Sequence, residues 1–243
     1  MKTIKILAVA LIITSISTGL FAQPVIGLKG GFTLSSLSGE QYEDYTDLEY
    51  GDSYDFGIKP GLQFGITAEF ELADEFFLQS GLIFKQKGVR VEGDIPAYDG
   101  YYYSEPAYTF KGKYSFFYLD IPINGMYKLE LDDHFLLFYT GPSVNIGLSG
   151  QLKGTAEYYD GEEEKGKDSF EWGNDENTDI YRRLELGWTF GLGFQFEELL
   201  QFRVSYNHGL NNISTYQEED EYMTKNRVFQ LSAVFLLSEL DIF

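Results

Sequence analysis

Side chains that commonly carry out chemistry are few in this sequence. The chain has two histidines and no cysteine. His134 falls in a short turn and His208 on an apolar strand face, and neither has a plausible catalytic partner. No G-x-S-x-G nucleophile motif occurs, because GLSGQ at 147–151 lacks the second glycine in place. Catalysis needs groups in defined roles and geometry, so we expect no enzyme activity, no catalytic residue and no cofactor.

One segment has part of the spacing of a calcium-binding loop. Asp175, Asn177 and Asp179 supply oxygen atoms at alternate positions, as in the first half of such a loop. The glycine that should follow is Ile180, and the twelfth position is Leu186 instead of glutamate. A solvated acidic loop is the better interpretation. We therefore predict no metal site.

The strongest signal is alternation of apolar and polar residues. In the stretch KPGLQFGITAEFEL at 59–72, every second residue from Leu62 to Leu72 is apolar. A period of two is typical of β-strands with one apolar face. Eight segments show it: 25–34, 59–72, 76–91, 114–129, 135–150, 183–196, 200–210 and 227–237.

The connections between these segments alternate in length. Short turns are expected at 73–75, 130–134 and 197–199. Long polar connections are expected at 35–56, 92–113, 151–182 and 211–226. This alternation is typical of outer-membrane barrels. We therefore predict an all-β fold, an eight-stranded antiparallel up-and-down transmembrane β-barrel with short periplasmic turns and long extracellular loops.

Each short turn predicts a register for its hairpin. Strand pairing must place apolar residues opposite apolar residues. The predicted pairs are Leu72–Phe76, Phe70–Leu78 and Ile66–Leu82; Leu129–Leu136, Tyr127–Phe138, Ile121–Val144 and Leu119–Ile146; and Phe196–Leu200, Phe194–Phe202, Leu192–Val204 and Phe190–Tyr206. All three turns keep the apolar residues on one face.

The polar phase indicates which face lies outside. A water-facing exterior should be rich in lysine and glutamate. Instead, the polar phase around Gln63 and Thr189 is mostly glycine, threonine and glutamine. Small residues suit the narrow interior of an eight-stranded barrel. The alternative is a soluble periplasmic barrel with its apolar face inward around a ligand.

The interior phase also carries charges of both signs. They are Glu69, Lys85, Lys87, Asp120, Lys128, Arg183, Glu185 and Arg203. Buried charges must pair, so we favour a neutralised plug that fills the lumen. A gate or selectivity filter is the alternative, and it would make the protein a narrow pore for small solutes.

The N-terminus predicts export. Residues 1–22 have the layout of a secretory signal peptide, with Lys2 and Lys5 before an apolar core and Ala22 at the cleavage point. Residues 23–243 then form the barrel domain. After the signal there is no apolar run of about 18 residues, so no membrane helix is expected. The net charge of -20 disfavours nucleic-acid binding.

The long connections are acidic or rich in tyrosine. The first and third connections hold most of the aspartates and glutamates of the outer side. The second connection carries Tyr98, Tyr101, Tyr102, Tyr103 and Tyr108, which leave two interpretations open. The tyrosines form a contact surface for a glycan or protein, or the two flanking strands extend above the membrane as a hairpin.

Several motifs resemble a known family. These are LFAQ at the end of the signal, GLKGGFTLSSL at 27–37, YLDIPINGMYKL at 118–129, GPSVNIGL at 141–148 and the C-terminal Phe243. The chain resembles the PorT-like outer-membrane barrels of Gram-negative bacteria, related in architecture to OmpA and OmpX barrels. The resemblance implies location in the outer membrane, contact with its lipid and insertion by the barrel assembly machinery.

The expected role is structural or interaction-based. It would be surface contact, support of membrane integrity or partnership in a secretion complex, with a surface glycan or protein bound through the loops. The two alternatives are the narrow pore and the soluble ligand-binding barrel introduced above.

Overall fold

A computed structural model describes residues 24–39, 45–46, 53–98, 103–158, 160–170, 172–173, 181–215 and 223–237. The described chain forms ten strands. They are β1 (Val25–Ser38), β2 (Tyr45–Thr46), β3 (Ser53–Ala73), β4 (Phe76–Tyr98), β5 (Tyr103–Leu131), β6 (His134–Tyr158), β7 (Glu163–Phe170), β8 (Leu184–Phe196), β9 (Leu200–Gly209) and β10 (Lys225–Leu236).

Eight of these ten strands close into a ring. Their order is β1, β10, β9, β8, β6, β5, β4 and β3, and β3 pairs back with β1. All pairings between the strands of the ring are antiparallel. The short β2 attaches to β3, and β7 attaches to β6, both outside the ring. Closure leaves no unpaired strand edge in the ring, and the predicted eight-stranded barrel is confirmed.

Within the described residues, no helix has the length and hydropathy needed to cross a bilayer.

The predicted registers of the hairpins are confirmed with one exception. Every expected pair across the second and third turns is present. Across the first turn, Phe70 faces Leu78 and Ile66 faces Leu82 as expected. The Leu72–Phe76 pair is wrong, because an irregularity beside the turn places Ala73 opposite Phe76 and Glu71 opposite Phe77.

The strands on the extracellular side are longer than predicted. β5 spans 29 residues and β6 spans 25 residues. Both continue past the apolar band into polar sequence, where alternation of hydrophobicity no longer marks a strand. β4 and β5 pair as far as Tyr98 and Tyr103, which confirms the extended hairpin for the backbone of the tyrosine-rich segment. Tyr101 and Tyr102 lie outside the described residues.

The two faces of the wall differ as the alternation predicts. Leu62 and Phe64 are 57% and 60% exposed on the outside, whereas Gln63 and Thr67 are 2% and 3% exposed toward the lumen. At Gly65 and Gly141, a Cβ atom would overlap the backbone of the neighbouring strand. The glycines of the inner phase therefore let strands approach closely in a narrow barrel.

Candidate functional site

The centre of the lumen is organised around one carboxylate. Glu69 on β3 is 1% exposed. It pairs with Arg203 of β9 at 2.5 Å and with Lys128 of β5 at 2.7 Å. Gln201 donates a hydrogen bond to the same carboxylate at 3.2 Å. These contacts join strands from different sides of the ring, so they span the lumen instead of following its wall.

Neutral amides extend this central cluster. Lys128 also donates to the side-chain oxygen of Gln195 at 3.2 Å, and Gln201 donates to the same oxygen at 2.8 Å. Arg203 donates to Gln201 as well. Every polar group taken from water needs such partners to offset its desolvation.

A second cluster lies nearer the extracellular end. The ammonium of Lys87 pairs with Glu185 at 3.0 Å and donates to Asn145 at 2.9 Å. Asn226 donates to the other oxygen of Glu185 at 2.7 Å. Lys87 also lies over the ring of Tyr118, at 4.5 Å from its centre, where a cation is attracted to the aromatic face.

A third ion pair lies beside these two clusters. Lys85 and Asp120 are 2.5 Å apart, and both side chains are almost completely buried. Seven of the eight charged residues singled out from the sequence therefore lie in the lumen within ion pairs. They are Glu69, Lys85, Lys87, Asp120, Lys128, Glu185 and Arg203.

Arg183 does not lie with the other seven. It precedes the first residue of β8, its side chain is exposed, and it donates to the backbone oxygen of Trp172 at 3.2 Å. The sequence pattern placed β8 one residue too early, and this put Arg183 in the interior phase.

Lys29 of β1 is a charged residue of the inner phase that sequence reasoning missed. It pairs with Gly65 and with the buried Val234, so it belongs to the inner phase of β1.

Aromatic residues close the extracellular end of the lumen. Tyr118 and Phe116 of β5 pack edge-to-face against Trp172, with ring centres 5.2 and 5.8 Å apart. Tyr181 packs on Phe116 at 4.9 Å. The buried members of this aromatic cap are Leu37, Val89, Phe116, Tyr118, Trp172, Tyr181 and Ile213.

Backbone contacts hold the aromatic cap in place. Trp172 forms a β-bridge with Tyr181, and Tyr181 forms another with Ser214. The amide of Arg182 donates to the carbonyl oxygen of Ile213 at 2.7 Å. Segments from two extracellular connections are therefore tied together across the mouth of the barrel. Sequence reasoning missed this cap because its key residues come from connections without periodicity.

The histidines lie apart from these clusters. His134 begins β6 at the periplasmic turn and packs against Phe194 and Phe196. His208 contacts Tyr206 on β9. Among the described residues, no group of three or more histidine and acidic side chains is arranged to hold a metal ion. The candidate calcium segment at 175–179 lies outside the described residues.

The comparisons with known proteins identify the family. Residues 21–215 match the family model described as "Outer membrane protein beta-barrel domain". The chain belongs to this family. The family and the fold confirm the predicted location in the outer membrane. The exposed apolar face of the barrel is the face that contacts lipid. A soluble barrel would need the apolar face inside, and the structure has the opposite arrangement.

Solved structures of outer-membrane β-barrels resemble the chain at low sequence identity. Neisserial surface protein A is 10% identical, with a TM-score of 0.39 over 86% of this chain and 96% of that one. Ail of Yersinia pestis is 13% identical, with a TM-score of 0.36 over 88% and 99%. OprG of Pseudomonas aeruginosa is 11% identical, with a TM-score of 0.31 over 90% and 95%. Among curated proteins, none matches the chain.

Proposed function

We propose that this protein is a closed, non-catalytic outer-membrane barrel that acts through its extracellular surface. Its role would be surface contact, support of membrane integrity or partnership in a secretion complex. The observation that carries the proposal is the filled lumen. The central cluster around Glu69 and the second cluster around Lys87 and Glu185 fill the lumen at two levels. The aromatic cap covers its outer end.

Physical costs favour a plug over a gate. To open a path, solute and water would have to separate Glu69 from both Arg203 and Lys128, and removing one partner from a buried ion pair costs about 3–5 kcal/mol. The aromatic cap would have to move as well, which exposes several buried rings. In the described part of the chain, the plug is not carried by a single hinged element, because its charges come from five strands of the ring.

The resemblance to PorT-like barrels supports a finer version of the proposal. The family includes a member linked to protein secretion, so a secretion complex is one partner to test. In this version, the barrel anchors its extracellular segments, and the barrel assembly machinery inserts it. Surface glycans or proteins would contact the acidic and tyrosine-rich connections.

Single-channel conductance in a planar bilayer tests the closed lumen. The sample must be folded, as shown by a difference in gel mobility between boiled and unboiled protein. We expect no conductance steps from wild type. Arg203→Ala should lower stability without creating steady steps, because Lys128 and the aromatic cap still occupy the lumen. Steady steps from folded wild-type protein, altered by R203A, would overturn the proposal and favour the narrow pore.

A further inference from the structure

Positive charges line up across the outer face of the extracellular sheet. In the pairing of strands β4, β5, β6 and β7, Arg90 lies opposite Lys113, Lys113 opposite Lys153, and Lys153 opposite Lys167. All four side chains are exposed. Adjacent strands are about 4.8 Å apart, so four cations occupy about 15 Å. We call Arg90, Lys113, Lys153 and Lys167 the basic row.

Among the described residues, no carboxylate forms an ion pair with a member of the basic row. The ion pairs on this face lie in the two rows beyond the basic row. There Lys111 pairs with Glu157 at 3.1 Å and with Glu92 at 3.8 Å, and Lys165 pairs with Glu163 at 2.6 Å. The pKa of Lys111 is raised above its ordinary value by its hydrogen bond and ion pair with Glu157.

None of the four members of the basic row has such a partner in the described part of the chain. Like charges directly opposite each other destabilise a sheet. A chain with a net charge of -20 and only 18 basic residues nevertheless places four of them in this row. This arrangement calls for an anion from outside the chain.

The position of the basic row indicates where that anion lies. Phe64, Phe84 and Phe117 form a continuous outward-facing aromatic row on β3, β4 and β5. Lys113 lies four residues beyond Phe117 on β5. At about 3.3 Å per residue and a strand tilt of about 40°, the basic row lies roughly 10 Å further out. This is the polar headgroup layer just beyond the hydrocarbon core.

Three polar residues between the two rows have side chains that can hydrogen-bond to headgroups. Ser115, Gln151 and Ser169 are opposite one another on β5, β6 and β7, directly below the basic row. A groove of about 860 Å³ lies on this part of the sheet. The basic row lines its inner part, and the carboxylates Asp55, Glu92, Glu157 and Glu163 line its outer part, where Lys111 and Lys165 pair with three of them. Arginine recognises phosphate with two parallel hydrogen bonds, and lysine acts as a point charge.

We propose that the basic row binds the phosphate groups of an anionic glycolipid in the outer leaflet. The outer face of the sheet contacts the headgroup layer of the surrounding lipid, and lipid phosphates are concentrated in that layer. A protein partner would have to displace that layer to reach the same residues. This assignment goes beyond the proposed function and does not depend on the lumen being closed.

Native mass spectrometry of the folded, full-length barrel in detergent tests the proposal. The probes are bis-phosphorylated lipid A, the same lipid without phosphates, and inorganic phosphate. Each positive charge near a lipid surface contributes about a five-fold change in affinity. We therefore expect Lys113→Gln with Lys153→Gln to weaken binding of the phosphorylated lipid about 25-fold.

A matched variant controls for total charge. Arg182→Gln with Lys225→Gln also removes two extracellular cations, away from the basic row, and should leave lipid binding unchanged. Equal losses in both double variants, or no loss in K113Q/K153Q, would overturn the proposal. Saturation of wild type by inorganic phosphate at millimolar concentration, with loss of lipid binding, would assign the site to free phosphate instead.

A further arm uses wild-type protein alone and therefore does not depend on the variants folding. Lipid A without phosphates should bind wild type at least 25-fold more weakly than the phosphorylated form. Binding of the phosphorylated form should also weaken as salt rises, because the basic row is exposed and its charges are screened. Equal affinity for the two lipids would overturn the proposal even if the K113Q/K153Q variant fails to fold.

Discussion

Removing the charge of Glu69 should destabilise the barrel more than any other single isosteric change in its lumen. Glu69→Gln keeps the volume and one accepting oxygen, but it leaves Arg203 and Lys128 buried without their carboxylate. Breaking a buried pair in this way costs about 3–5 kcal/mol. Because Gln201 and Gln195 still accept hydrogen bonds from the two cations, we expect the lower end, about 3 kcal/mol.

Urea unfolding in phospholipid vesicles measures this cost. With a denaturant slope of about 2 kcal/mol per molar, the midpoint for E69Q should fall by about 1.5 M. The matched control is Glu71→Gln, two residues along the same strand. Glu71 is exposed and has no ion pair in the described residues, so E71Q should change the free energy of unfolding by less than about 0.5 kcal/mol.

A double-mutant cycle separates the ion pair from side-chain packing. Arg203→Met in the E69Q background removes one of the two cations that E69Q leaves without a carboxylate. The loss of unfolding free energy in the double variant should therefore be clearly smaller than the sum of the losses in the two single variants. Equal midpoints for E69Q and E71Q would refute the reasoning. That result would mean that water already solvates the cations, and a wet lumen would reopen the pore interpretation.

Three further predictions follow from the two faces of the wall. Brominated lipid should quench the fluorescence of Trp188, which is 38% exposed on the outside, but not that of Trp172 in the aromatic cap. The variants Trp172→Phe and Trp188→Phe isolate the two signals. Equal quenching of both tryptophans would contradict this assignment. Gly141→Ala should lower the free energy of unfolding by about 1–3 kcal/mol through overlap with the backbone of β5, whereas Gly30→Ala, which meets nothing within 4 Å, should be near neutral in the same urea assay. In detergent without phosphorylated lipid, Lys153→Gln should raise the thermal midpoint, because it relieves repulsion within the basic row; a lower midpoint would argue against that repulsion.

The sequence predicted the parts of the fold that alternation encodes. Where one face is buried against lipid and the other against the lumen, a shift of one residue exchanges the faces, so phase and register could be read from residues such as Phe70 and Leu78. The extracellular strands could not be read in this way. Segments such as Glu163–Phe170 are exposed along most of their length, and this one pairs with β6, the strand that directly precedes it in the chain.

The candidate site shows the same division. Charges in the inner phase were found from the strand pattern, and Arg183 was misplaced because a strand boundary shifted by one residue. The supporting amides were overlooked because glutamine in a strand carries no charge signal. The aromatic cap depends on Trp172 and Tyr181, which meet only through tertiary contacts, so no local pattern marks them.

The ion pairs of the lumen also constrain the way the barrel enters the membrane. Glu69 and Arg203 are 134 residues apart in the chain, and they meet only after β3 and β9 belong to the same closed ring. Before closure, each hairpin would bring an uncompensated charge toward hydrocarbon, which costs several kilocalories per mole. Partly inserted intermediates are therefore penalised, and the last step of assembly combines sealing of the strand seam with neutralisation of the interior. The plug thus makes membrane insertion a cooperative event.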